Sequence, residues 1–283
     1  VKFRLVVSDI DGTLLDDDGM LTERTQQVVY AVREAGIPFV LATSRRWTGT
    51  QPVAQSLGLH DVPLIIYDGT QTRCFPNGNV MAEWWLDAGV AQQAAEIIAS
   101  HRLQPILQLS NAQAERLIVG KLPANSKTHT SFATRYLADY AHQVTEMAIE
   151  EFSQLEEHPL RLVAFGAYEH LLIAARKMVP LQCGVQVLPS GSYGAAELTV
   201  FSSHASKGMA MQKLCRQLGI RREEVFAIGD GVNDMALLQM AGFGVAMGNA
   251  ADEIKAAARA VAPTNQEDGA AAAIERYVLR NAL

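Results

Sequence analysis

Apolar and polar positions alternate in blocks from the start of the chain. Residues 3–8, "FRLVVS", make an apolar run of strand length that ends abruptly in the acidic turn "DIDG". Helical spacing follows, with Val28, Val29, Val32 and Ala35 on one face. Leu21 is placed to staple this helix, Thr22 to cap it and Gly36 to stop it. A second strand is predicted over "PFVLATS", a short helix from Arg45, and a third strand over "PLIIYDG". This β-α-β-α grammar builds a parallel sheet with crossover helices. The stretch "FPNGN" then reads as a hairpin turn between short strands.

From about Glu83 to Tyr193 the pattern changes. Helices are predicted over 90–99, near 130–142 and over 169–179, and strands over 105–109, 116–119, "RLVAFGA" and "GVQVLP". The loop signature "PSGSYG" closes this block. After it, "AAELTVF" leads to a helix over 207–218 and the strand "VFAIGDG". A helix over 234–240, the strand "FGVAM" and helices over 252–260 and 269–280 complete the chain, so the opening alternation resumes. The expected fold is α/β, a doubly wound parallel sheet core made from 1–82 and 194–283, with an α+β domain inserted at 83–193.

Composition narrows the function classes. With 283 residues, 49% of them apolar, the chain has ample material for such cores. Lys+Arg 24 against Asp+Glu 30 leaves a net charge of -6, which argues against a general nucleic-acid binder, because no basic excess exists to neutralise phosphates. Cys74, Cys183 and Cys215 stand far apart and suggest buried thiols, with neither a CxxC metal site nor a secreted disulfide framework. The histidines form no HExxH pattern, which argues against zinc catalysis. The opening has no signal-peptide core and no run is long enough to span a bilayer, so a cytoplasmic chain without a membrane partner is expected. Nothing in the sequence specifies an oligomeric state.

Three loops follow predicted core strands: "DIDGT", "ATSRR" and "GDGVND". In a doubly wound sheet such loops converge outside the carboxyl ends of the strands. Asp9, Asp11, Asp230 and Asp234 would share that space, and their repulsion calls for a hard, oxygen-preferring cation, Mg2+ above all. Thr43 and Ser44 sit at a strand-to-helix turn suited to phosphate oxygens, Lys207 brings positive charge and Asn233 an amide. Such a site lets an aspartate attack phosphorus and form an aspartyl-phosphate that water hydrolyses. Spacing alone does not choose the nucleophile. Arg45 and Arg46 suit either a negative substrate group or surface ion pairs, and "NQEDG", with Asn265 and Asp268, reads as a cap or turn.

"DIDGTLL", "ATSR", "SKG" and "GDGVNDMALL", in this order, resemble the four signatures of the haloacid dehalogenase-like superfamily. The arrangement is similar to its Cof-type phosphatases, whose α/β cap lies between the second and third signatures. The resemblance implies Asp9 as nucleophile and Asp11 as general acid/base, with the Asp11 carbonyl also on the metal. It further implies Thr43 and Asn233 on the phosphate, Lys207 stabilising charge, Asp230 on Mg2+, and Asp234 supporting the metal or Lys207. Two residues depart from the family's pattern. Ser44 stands where Gly is usual, and "YDGTQ" stands in place of an Asn-Gly pair, so that Asp68 is expected to add a carboxylate near the substrate entrance. The function implied is a Mg2+-dependent phosphatase of a small phosphorylated metabolite such as a sugar phosphate. A phosphomutase of the same superfamily and a noncatalytic phosphometabolite-binding protein are the alternatives.

Overall fold

In the computed structural model, which describes residues 2–111, 114–122, 131–189 and 195–281, the chain divides into two compact units. One comprises Val1–Ala82 with Ser206–Leu283, the other Glu83–Ala205. In chain order the first stretch contains β1 (Leu5–Ser8), α1 (Glu23–Glu34), β2 (Phe39–Ala42), α2 (Trp47–Ser56), β3 (Val62–Ile66), β4 (Gln71–Phe75) and β5 (Val80–Glu83). The inserted unit contains α3 (Ala88–Ser100), β6 (Ile106–Ser110), β7 (Glu115–Lys121), α4 (Ser131–Asp139), β8 (Val144–Ala148), β9 (Arg161–Gly166), α5 (Tyr168–Lys177), β10 (Gly184–Leu188) and β11 (Ala196–Phe201). The returning stretch contains α6 (Lys207–Leu218), β12 (Val225–Gly229), α7 (Met235–Met240), β13 (Phe243–Ala246), α8 (Asp252–Ala257), β14 (Ala260–Val261) and α9 (Gly269–Tyr277).

The larger unit is built on an eight-stranded sheet ordered β14-β13-β12-β1-β2-β3-β4-β5. Neighbours from β14 to β3 run parallel, and β4 turns back antiparallel on β3. Strands β1, β2 and β12 are buried at every position, as apolar strands covered on both faces must be. Local signals behave as the sequence dictates: the Thr22 hydroxyl accepts from Thr25 N and caps α1, and Gly36 leaves that helix at φ 73°. The chain winds outward from β1 through β2 and β3, then returns on the other side of β1 with β12. The winding direction therefore reverses between β1 and β12, where ligands bind in sheets of this kind.

The inserted unit is a mixed six-stranded sheet ordered β10-β11-β9-β6-β7-β8. Helices α3 and α5 lie against one face through Ala94, Ile98, Leu107, Leu162, Leu171 and Leu198; α4 covers part of the other through Ala133 and Tyr136. Its far boundary corrects the expectation. "AAELTVF" was assigned to the returning core, yet β11 pairs antiparallel with both β9 and β10, so the unit extends to Ala205. A short apolar strand shows that it belongs in a sheet but not in which one. All of the "PSGSYG" loop except Pro189 lies outside the described residues, as does residue 130 of the helix expected near 130–142. Strands β8 and β14 were not expected: β8 is a partly exposed edge strand with little apolar alternation, and β14 has two residues. No helix among the described residues is long and apolar enough to cross a membrane.

Candidate active site

The register of the central strands explains the site. Ser8 lies opposite Ile228, so the chain leaves β1 into Asp9 beside the point where β12 runs into Asp230. The Asp9 amide donates to the Ile228 carbonyl at 3.0 Å and fixes that level. Gly12 then turns at φ 73° so close to Asp230 that a Cβ there would lie 2.4 Å from Asp230 Oδ2. The third contributor is α6, whose N-cap Ser206 accepts from Met209 N and whose first residue is Lys207. A lysine at a helix N-terminus opposes the helix dipole, so it needs anions nearby.

It has them. Lys207 Nζ donates to Asp9 Oδ1 at 2.6 Å and to Asp234 Oδ1 at 2.7 Å, with the lysine side chain fully buried. Asp234 Oδ2 in turn accepts from the amides of Asp230 at 3.1 Å and Gly231 at 2.9 Å, so this carboxylate braces the loop as well as the lysine. Asp9, Asp230 and Asp234 each present an oxygen within 4.8 Å of the others. Burial depresses the Lys207 ammonium, but the charges of Asp234, Asp9 and Asp68 outweigh it and hold the group protonated far above its ordinary range. Burial pushes the Asp9 carboxyl well above the usual carboxylate range, with Asp234 adding to the rise and Lys207 opposing it. Burial and then Asp234 push Asp230 up to about 6, against a hydrogen bond from Thr13. Three clustered carboxylates facing one ammonium are short of positive charge, and their donors are all hard oxygens. The residues therefore fit a divalent cation of the Mg2+ type.

The structure brings some expected residues together and separates others. Thr43 is fully buried at the end of β2, where its hydroxyl accepts from Arg45 N at 3.0 Å; half-buried Ser44 occupies the same turn. The carboxylate of Asp11, expected to share one space with those of Asp9, Asp230 and Asp234, stands outside the three-carboxylate group. Its side chain is 53% exposed, and Arg45 takes both of its oxygens, Nε at 2.8 Å and Nη2 at 2.5 Å. Arg45 is thus an ion-pair partner of Asp11. Asp68 is buried, and it accepts from Asn233 Nδ2 at 3.0 Å. Its backbone is left-handed at φ 57°, between Tyr67 at 52° and Gly69 at 91°. Gly69 lies directly against the start of α6, since a Cβ there would sit 2.3 Å from the Ser206 carbonyl carbon.

Sequence reasoning missed two residues. Thr13 Oγ1 donates to Asp230 Oδ1 at 3.1 Å, and Asn249 Nδ2 donates to the Gly12 carbonyl at 2.9 Å. The available signal for Asn249 was position alone, since "MGNA" follows the core strand "FGVAM" as the other site loops follow theirs. With this geometry, a hydrolase built on an acidic strand-end cluster is the relevant comparison. The family description "haloacid dehalogenase-like hydrolase" matches residues 6–274. The chain belongs to this family.

Several proteins resemble it along nearly their whole length. A pyridoxal phosphate phosphatase of Escherichia coli is 28% identical over 288 residues, covering 98% of this chain and 99% of the relative. A 5-amino-6-(5-phospho-D-ribitylamino)uracil phosphatase of Bacillus subtilis is 26% identical over 281 residues, covering 99% of this chain and 97% of the relative. Among solved structures, a haloacid dehalogenase-like hydrolase from Bacteroides thetaiotaomicron has a TM-score of 0.77 at 26% identity, covering 97% of this chain and 99% of that one.

Proposed function

We propose that this haloacid dehalogenase-like hydrolase is a Cof-type, Mg2+-dependent phosphatase of a small phosphorylated metabolite. The observation that carries the reading is Lys207, buried between Asp9 and Asp234 with Asp230 in the same cluster. Asp9 Oδ1 is held by Lys207, and Asp9 Oδ2 attacks phosphorus. As the bond from phosphorus to the ester oxygen breaks, Asp11, released from Arg45 and carrying a proton taken up from solvent, gives that proton to the departing alkoxide. It then takes a proton from water, which attacks the aspartyl-phosphate and releases inorganic phosphate, returning Asp9 as a carboxylate. Thr43, Ser44 and Asn233 bind phosphate oxygens, and Lys207 offsets the charge gathered on Asp9 and the phosphoryl group. Asp9, Asp230 and the Asp11 carbonyl would hold Mg2+, with Asp234 as their support. When bound, Mg2+ supplies positive charge to the phosphate oxygens.

Two relatives carry names that point to aromatic or polyol phosphates, so pyridoxal phosphate and a ribityl phosphate head the substrate panel beside sugar phosphates. The test is steady-state phosphate release from that panel with Mg2+ or EDTA, beside Asp9→Asn. One preferred compound, hydrolysed by the wild type and not by the variant or in EDTA, is the expected result. Release that survives in Asp9→Asn sinks the mechanism.

A further inference from the structure

The loop after β13, residues 247–250, reaches the carboxylates without contributing one. Met247 N donates to the Gly229 carbonyl at 3.0 Å and ties this loop to the end of β12. From there Asn249 Nδ2 donates to the Gly12 carbonyl at 2.9 Å and lies 3.4 Å from Asp230 Oδ2, while its Oδ1 accepts from Asn265 N at 3.1 Å. Asn265 Nδ2 continues the chain of contacts to the Leu15 carbonyl at 3.1 Å and to Asp17 Oδ1 at 3.0 Å. Two asparagine side chains therefore staple the turn that follows Asp9 onto the other end of the sheet. Asp230 is held inside this staple, with the Thr13 hydroxyl on one oxygen and the Asn249 amide beside the other.

We infer that Asn249 is a positioning residue that sets how tightly the site holds Mg2+; this rests on reading Asp230 as a cation ligand. A ligating carboxylate binds best when its orientation is fixed before the cation arrives, and outer hydrogen bonds supply that orientation. The donor must also leave the carboxylate's charge available. An ammonium on Asp230 would repel a divalent cation, whereas the neutral hydroxyl of Thr13 and neutral amide of Asn249 orient it without that repulsion. Gly12 packs within a Cβ's reach of the same Asp230 oxygen, so releasing the Gly12 carbonyl also loosens the wall against which Asp230 rests. Loss of such outer partners costs about 10- to 100-fold in metal affinity, and the longer Asn249 contact points to the lower end, about tenfold.

Titration calorimetry with MgCl2 alone, on the EDTA-stripped 283-residue chain without substrate, tests this. Wild type is expected to bind, Asp230→Asn to lose binding, and Asn249→Ala to bind with a Kd about tenfold weaker. A purely structural role would instead lower the metal-free melting temperature of Asn249→Ala and leave its Kd unchanged. If Asn249→Ala matches wild type while Asp230→Asn does not bind, the inference is overturned and Asp230 remains a ligand. If Asp230→Asn retains wild-type affinity, the reading of the site falls and the inference with it. Should Asn249→Ala be too unstable to titrate, Asn249→Ser is judged by the same criterion, and a wild-type Kd overturns the inference.

Discussion

Lys207→Met keeps the reach of the side chain and removes its charge. In the folded protein the ammonium is surrounded by Asp9 Oδ1 at 2.6 Å and Asp234 Oδ1 at 2.7 Å. At an effective dielectric of ~20, opposite charges ~4 Å apart attract by about 4 kcal/mol, so two such pairs oppose a desolvation cost of several kcal/mol per ion. Without the lysine, both carboxylates remain buried and neither attraction does, a change that costs about 3–5 kcal/mol in buried pairs. The cost also depends on pH. Asp9 is already raised by burial and Asp234, and the variant removes the cation that pulls it down. Its folded carboxyl then holds a proton that the unfolded chain has released, so the deficit is small in acid and grows as pH rises. Urea unfolding in EDTA at pH about 5 and about 8 measures this. A Trp84→Phe/Trp85→Phe background leaves Trp47, in the unit that carries the site, as the fluorescent reporter. A deficit under about 1 kcal/mol at the higher pH, the scale of an exposed ion pair, refutes the reasoning, as does one that grows toward acid.

Three other outcomes follow from the same site. Asp230 is raised to about 6 from an unfolded value of 3.8, so the stability associated with its protonated form is present below about pH 4 and lost as pH rises through about 6. Mg2+ must displace that proton, and thermal melts should show a larger Mg2+-induced gain at pH about 7.5 than at about 5; equal gains contradict the shift. Gly69→Ala forces a Cβ onto Ser206 at φ 91°, and should lose at least about 1–3 kcal/mol and slow phosphate release. Unchanged melting and turnover would show that the β3–β4 loop yields easily. Asp68→Asn removes a negative charge beside Lys207, and should strengthen inhibition by inorganic phosphate roughly fivefold, the effect of ~1 kcal/mol. An unaltered inhibition constant would place Asp68 outside the phosphate's field.

The parallel core was legible because each of its signals is local and redundant. Apolar runs end in "DIDG", "ATSR" and "GDGVND", and a parallel sheet allows those ends only one side. That is why Asp9, Lys207, Asp230 and Asp234 could be assembled on paper. What stayed hidden depended on pairing and rotamers. The sheet that β11 joins is settled by its neighbours β9 and β10, nearby in space but invisible in its own six residues. Asp11 turns to Arg45 instead of the metal-side cluster because a bidentate guanidinium is in reach, a choice made by side-chain torsions. Asp68 is buried by three successive left-handed residues, a backbone path that only Gly69 hints at in the sequence. Asn265 reads as an ordinary cap or turn residue and Asn249 carries no signal of its own, because their partners, Leu15 and Gly12, lie at the other end of the chain.

The pairing of Leu5 with Val225 also sets a timetable for synthesis. Strand β1 leaves the ribosome with β2 soon behind it, but its other neighbour follows only about 220 residues later. At ~5–20 residues per second the delay is on the order of 10–40 s. During that interval the nascent chain exposes the edge of a strand that is buried at every position in the fold, while Glu83–Ala205 forms a continuous compact unit. Asp9 is thus made about 200 residues before Lys207 and Asp230, the partners that complete its cluster. A nascent chain that has not yet made β12 also lacks Asp230, and chaperones that shield open sheet edges have their longest opportunity at β1.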